Sequence, residues 1–183
     1  MNHLAKPLHR LTGAVLLCAA ATQPISAEDS PLLQPKVVIV DASISSAQAM
    51  AQVLAARRYD TFWATGDENL ARTALAPDFV DRTLPAGRPQ GIDGALAASQ
   101  GFHAAVPDIR CDIEQLVVAG DRVVVHLRFT GHFTGKFKQV NGQGQVVDFI
   151  ATDIYRIVNG RIAENWHLED NLSFLEQMGI VIP

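Results

Sequence analysis

Two periodicities divide the chain. From Ser45 or Ser46 the apolar positions recur at helical spacing: in AQAMAQVLAARRYDTFWATGD, residues Met50, Val53, Leu54, Tyr59, Phe62 and Trp63 can share one face, and Gly66 offers a stop. DENLARTALAPDF predicts a short second helix ending before Pro77, and ALAASQGFHAAV predicts a third, from near Gly91 to Pro107. Beyond Pro107 the period drops to two. IRCDIEQLVVAG, DRVVVHLRFTGHFT, QVVDFIATDIYRI and RIAENWHL read as four strands, with turn signals at Gly120, at 141–144 and at 159–160. Helices first and a strand meander afterwards predict an α+β fold, in which N-terminal helices pack on a curved antiparallel β-sheet. The long 131–144 connection, with Lys136 and Lys138 at its centre, could rim a cavity or face water, and water is preferred.

The last hairpin concentrates the polar residues, and its turn decides which of them meet. A two-residue loop at Asn159 and Gly160 would set Asp153 opposite Trp166 and send His167 to the other side of the sheet. A three-residue loop of Val158, Asn159 and Gly160, with Gly160 left-handed, would set Asp153 opposite Asn165 and Ala151 opposite His167. The second register is preferred because its sorting is chemically coherent. One face then holds Phe149, Ala151, Asp153, Tyr155, Asn165 and His167; the other holds Ile150, Ile154, Ile162, Trp166 and Leu168, with Thr152 and Glu164 among them. Aromatics mixed with a carboxylate, an imidazole and an amide suit a cavity whose buried polar groups satisfy one another. Asp153 and His167 would be diagonal neighbours. In that pair, His167 is the candidate base and Asp153 its orienting partner, while Tyr155 and Asn165 are candidate donors to a developing enolate oxygen. Phe62, Leu127, Phe133 and Phe149 are the expected apolar lining for a substrate. The opposite face is apolar enough to imply a homodimer contact near Trp166 and Ile154.

The first residues change the chain's length and charge. MNHLAKPLHR is basic, LTGAVLLCAAA is apolar and short, and PISA before Glu28 supplies small residues, the layout of a signal peptide. The apolar run is too short for a stable membrane anchor, and Cys18 behind bulky Leu17 is a poor lipid acceptor. Cleavage is expected after Ala27, with release to the periplasm or beyond. It leaves 156 residues carrying thirteen basic and nineteen acidic side chains, enough for one domain over 45–183. Residues 28–44, with the apolar PKVVIVDA, are an N-terminal extension that either links or docks as a strand. The acidic balance disfavours nucleic acid. Cys111 alone survives cleavage and reads as a small buried hydrophobe.

Other candidates are weaker. His126 is expected to face outward, His132 to lie near a loop mouth, and His103 to sit on the surface or at a cap. Asp60, Asp67 and Glu68 lie at the first helical junction, where a carboxylate can cap, and Arg57 and Arg58 read as solvated. The scattered histidines offer no HExxH or Cys/His cluster, so no metal is expected. There is no glycine-rich nucleotide fingerprint and no GxSxG elbow, and no cofactor is expected.

The run ARRYDTFWATGD, LAPDFVDRTLPAG, GFHAAVPDIRCDIEQLVVAGDRVVVHLRFTGHFTG and ATDIYRIVNGRIAENWHLEDNLSFLEQMG resembles the SnoaL-like polyketide cyclase (ester cyclase) family of the NTF2-like superfamily, over residues 48–180. The resemblance implies a conical α+β fold and an intramolecular aldol closure driven by an acidic residue on the last long strand and a histidine on the preceding one. Here those positions fall on His167 and Asp153, with the residue types exchanged. GHFTG stands where relatives resemble GTHTG, so Phe133 occupies the usual histidine position and His132 lies one place earlier. The expected function is a cofactor-independent enzyme on a small or medium apolar carbonyl compound, giving cyclisation, isomerisation or dehydration. A non-catalytic periplasmic binding protein for an apolar ligand and a structural homodimeric module are the alternatives.

Overall fold

The computed structural model describes residues 31–181, so the leader expectation, with Cys18 and the Ala27 cleavage point, falls outside the described residues. The elements run β1 (Val38–Val40), α1 (Ser46–Thr65), α2 (Glu68–Ala74), β2 (Leu75–Asp81), α3 (Ile92–Ala105), β3 (Arg110–Ala119), β4 (Arg122–Phe133), β5 (Lys136–Phe137), β6 (Val140–Asn141), β7 (Gln145–Val158), β8 (Arg161–Glu169) and α4 (Asn171–Gln177). Six strands form one sheet in the order β1-β3-β4-β7-β8-β2, antiparallel at its centre, with β1 and β2 added parallel at the two edges. The expected α+β architecture holds: helices cover one face of a curved sheet that is mostly antiparallel.

Local chemistry fixes the helix ends. Ser45 accepts the backbone N–H of Gln48 at 3.2 Å, and Gly66, at φ 73°, closes α1 by donating to Phe62 O at 2.8 Å. Asp67 caps α2 by accepting from Asn69 N at 2.9 Å, as expected of a carboxylate there. The second helix stops at Ala74 instead of running toward Pro77. Leu75 to Asp81 instead make an edge strand, where a proline costs no inner ladder bond.

The buried face of α1 differs from the expected one. Met50 and Leu54 are exposed, and the helix meets the sheet through Ala49, Gln52, Ala55, Ala56, Tyr59, Asp60, Thr61 and Phe62. Small alanines let the helix approach the sheet closely, and that closeness carries Gln52, Asp60 and Thr61 inside. Gln52 donates to Gly120 O at 2.9 Å, and Thr61 Oγ1 accepts from Leu33 N at 2.9 Å. The extension docks. β1 pairs Val38 with Leu116 and Val40 with Val118, and Arg57, expected in solvent, donates to Leu33 O at 2.7 Å and Leu32 O at 3.2 Å. Cys111 is buried, as its composition suggested.

Candidate functional site

The turn of the last hairpin is the two-residue form. Asn159 (φ 52°) and Gly160 (φ 72°) are both left-handed and Val158 stands opposite Arg161, the pattern of a type I′ turn, so the expected three-residue loop is not formed. That turn alone would put Asp153 opposite Trp166. One residue intervenes: Ile162 pairs with Ile157 and Glu164 with Arg156, which leaves Ala163 as the extra residue of a β-bulge. Beyond it the register has moved by one, so that Asp153 faces His167 directly, Tyr155 faces Asn165 and Ile154 faces Trp166. The expected face sorting survives by this other route, except that Ile162, on the turn side of the bulge, is fully buried inside.

Between helices and sheet lies a cavity of about 560 Å³. Its apolar wall is an aromatic cluster in which Phe149 lies 4.7 Å from Phe174, 5.3 Å from Phe129 and 5.8 Å from Phe102, joined by Tyr59, Trp63 and Phe79. Leu127 and Phe149 line it as expected. Phe62 and Phe133 do not. Phe62 packs behind the wall against Tyr59 and Trp63 at 5.8 and 5.3 Å, and Phe133 is sealed at the end of β4, where Gly144 N–H bonds its carbonyl at 2.8 Å.

The polar floor is built from β2, β7 and β8. His167 Nδ1 lies 2.6 Å from Glu169 Oε1, and Nε2 lies 3.1 Å from each oxygen of Asp81. Both imidazole nitrogens are therefore committed to carboxylates, and the orienting partners are Asp81 and Glu169 instead of the expected Asp153. Burial alone would lower the histidine's pKa, but the bonds and charges of Glu169 and Asp81 together outweigh it and lift it to about 9. With a pKa of about 9, His167 carries both ring protons at neutral pH, each held by a carboxylate.

Asp153 behaves in the opposite way. Burial lifts its pKa to about 7, against the pull of the His167 cation, the Tyr155 hydroxyl and the neighbouring Asn165 amide. Tyr155 does not reach the cavity. Its hydroxyl lies 2.9 Å from Asp153 Oδ2 and 2.7 Å from Asp60 Oδ1, and it is fully buried behind the floor. One hydroxyl proton cannot serve two acceptors at once. Burial raises Asp60 well above the usual carboxylate range, and when protonated it can donate to the Tyr155 oxygen while Tyr155 donates to Asp153. Asp60 is thus no cap but the inner end of a proton chain.

The comparisons with known proteins follow this geometry. The sequence matches the SnoaL-like polyketide cyclase family over residues 53–178. The chain belongs to that family. Among solved structures it is similar to a candidate polyketide cyclase of Bacillus cereus ATCC 10987, at 41% identity over 82% of this chain and 95% of that one, with a TM-score of 0.76. IdmH of Streptomyces antibioticus, also a candidate polyketide cyclase, is 26% identical over 68% of this chain and 96% of its own, with a TM-score of 0.60. A Catenulispora acidiphila protein with a ketosteroid isomerase-like fold, solved with trimethylamine, is 19% identical over 69% and 93%, with a TM-score of 0.55, and it shows the fold alone. No curated relative matches the chain. SnoaL-like membership gives this molecule the fold of a cofactor-free cyclase or isomerase that binds small apolar ligands.

Within the SnoaL-like frame, three site residues escaped the sequence reading. Asp81 ends β2, of which the sequence pattern assigns only Leu75 and Ala76, to the end of a helix that stops before Pro77. Tyr59 had been assigned to packing. Glu169 was the most legible: it stands two residues beyond His167, on the same face of a strand. The remaining histidines lie away from the floor. His126 faces outward and bonds Thr152 at 2.9 Å; His132 pairs with Asp108 at 2.7 Å near the loop, half exposed; and His103 is half-buried beside Gly66, its pKa lowered by burial. Lys136 and Lys138, expected in water, are exposed but also rim the cavity. Among the described residues no group of three His, Cys, Asp or Glu is arranged to hold a metal ion, and no helix is long and apolar enough to cross a membrane.

Proposed function

We propose that this SnoaL-like protein is a cofactor-independent enzyme that moves a proton at the carbon beside the carbonyl of an apolar small molecule, leading to cyclisation, isomerisation or dehydration. The observation that carries the reading is Asp153, a buried carboxyl at the end of an aromatic cavity with its pKa near 7, directly opposite a fixed imidazolium. A general base works best with a pKa near the working pH. Asp153 takes the proton from the substrate carbon while the electron pair moves to the carbonyl oxygen. The His167 cation and the neutral Tyr59 hydroxyl, which lines the cavity, stabilise the developing enolate. Asn165 beside the carboxylate holds it in place. The roles first assigned to His167 and Asp153 are thereby exchanged, which makes an acidic residue the acid/base, but on β7 and not on the last long strand where the family resemblance implies it.

The test is solvent exchange. Incubated in deuterium oxide with a panel of β-ketoesters and 1,3-diketones, the wild type should exchange or convert at least one compound. D153N should slow that reaction by about 10² or more. A D153N protein as fast as the wild type would remove Asp153 as the base. Compounds that bind to both proteins without exchange would instead identify a carrier.

We also propose that the chain is exported with cleavage after Ala27 and acts as a homodimer through the outer sheet face, where Val146, Ile150, Ile154 and Leu168 are exposed beside Trp166. N-terminal sequencing of the protein from the periplasmic fraction tests the first. A mature chain that begins elsewhere than Glu28 overturns the cleavage site.

A further inference from the structure

We infer that the cavity mouth is an anion subsite, and that the substrate is an apolar carbonyl compound that also carries a carboxylate, held by Arg88 with Lys136 and Lys138. This rests on the proposed reading of the cavity as a substrate site. Two separate segments bring these cations to the lining of one cavity: the 82–91 loop brings Arg88, and the β5–β6 hairpin brings the two lysines. Of the charged side chains lining the cavity, four are cationic (His167, Arg88, Lys136, Lys138) and three are carboxylic (Asp81, Asp153, Glu169). The excess is positive although the whole chain carries net charge −4.

None of the three mouth cations is spent on a carboxylate among the described residues. Glu169, the carboxylate that feels the charge of Arg88, is committed to His167, as is Asp81. Arg88 is half-buried in the cavity lining, its guanidinium makes no hydrogen bond among the described residues, and a planar fork of donors suits a carboxylate.

The loop that carries Arg88 is held in place before any ligand arrives. Gln90 donates to Asp81 O at 2.9 Å and accepts from Asp81 N at 2.7 Å, and a side chain on Gly94 would lie 1.9 Å from Pro89 O, so only glycine permits the loop to lie so close on α3. Lys138 is held at φ 52°, at the first position of a two-residue hairpin turn where glycine is preferred, with its ammonium 5.5 Å from the Phe137 ring that lines the cavity.

The test compares dodecanoate with methyl dodecanoate by calorimetry on the full chain. The acid should bind about tenfold more tightly than the ester, the worth of one charge-assisted hydrogen bond. That preference should vanish in R88Q and shrink in K136Q/K138Q, while the ester binds all variants equally. Raising salt from about 0.01 to about 1 M, which shortens the screening length from about 30 to about 3 Å, should erode the preference in the wild type and so tests it without a variant. Equal binding of acid and ester by the wild type, or a preference untouched by both R88Q and salt, overturns the inference. Dodecanoate binding with no proton exchange on any carbonyl compound would retain the subsite and reject the catalytic reading alone.

Discussion

Asp153 and His167 stand directly opposite each other across the β7–β8 hairpin, yet the imidazole gives both its nitrogens to Asp81 and Glu169. The pair is therefore electrostatic. A fixed cation faces a carboxyl whose pKa burial has lifted to about 7, so near neutral pH the imidazolium coexists with the fraction of Asp153 carboxylate that the proposed chemistry uses.

The pH dependence follows from that opposition. With Asp153 as base, kcat/KM should rise as pH passes about 7, and it should fall as pH passes about 9, where His167 loses its proton. The opposite protonation roles, with neutral His167 as base, would place the rising limb near 9. Rates measured from pH 5 to 10 on any substrate found by exchange separate the two.

Asp153 should cost stability. Its folded pKa lies above the ordinary carboxylate value near 3.8, so ionisation is unfavourable in the native state and stability is lost as pH rises from about 4 through about 7. D153N removes that burden. It should be more stable than the wild type at pH 8, on the order of 4 kcal/mol for a pKa lifted from 3.8 to about 7, and the gain should disappear at about pH 4 in parallel urea titrations. A D153N protein less stable at pH 8 would contradict the assignment.

The buried chain from Asp60 distinguishes replacement from removal. Asn at position 60 can still donate to the Tyr155 oxygen, so D60N should keep activity within about threefold. D60A leaves that oxygen without its donor and should lose about 2 kcal/mol of stability, with the lower limb of the pH profile moved upward because Tyr155 then donates more weakly to Asp153. An unmoved limb in a folded D60A protein would disconnect Asp60 from the base.

Assembly has its own check. I154E places a charge on the exposed outer face and should convert a dimer to monomer in sedimentation while the cavity still binds ligand. A wild type that sediments as a monomer at micromolar concentration would remove the proposed contact.

Much of the fold was legible because it rests on periodicity: α1, α3 and the four long strands appear where helical spacing and alternation place them. Asp81 was hidden because seven residues around Pro77 carry no period strong enough to separate a parallel edge strand from a helix tail. The hairpin was hidden for a different reason. Both registers weighed from the turn assumed an unbroken ladder, and a bulge at an alanine buried beside its neighbours leaves no compositional mark. The face of Asn165 and His167 came out as expected, but through a turn and a bulge that compensate each other. The identity of their partners depended on Asp81, which arrives on β2, the edge strand paired in parallel with β8.

The chain has two tryptophans, and the sheet puts them on opposite sides: Trp63 borders the cavity, while Trp166 lies outside with the Arg122 guanidinium 5.7 Å from its ring. They are separate optical reporters built into one chain. W166F leaves a fluorophore that senses cavity occupancy, W63F leaves one that senses the outer sheet face, and the two signals can be followed without a label.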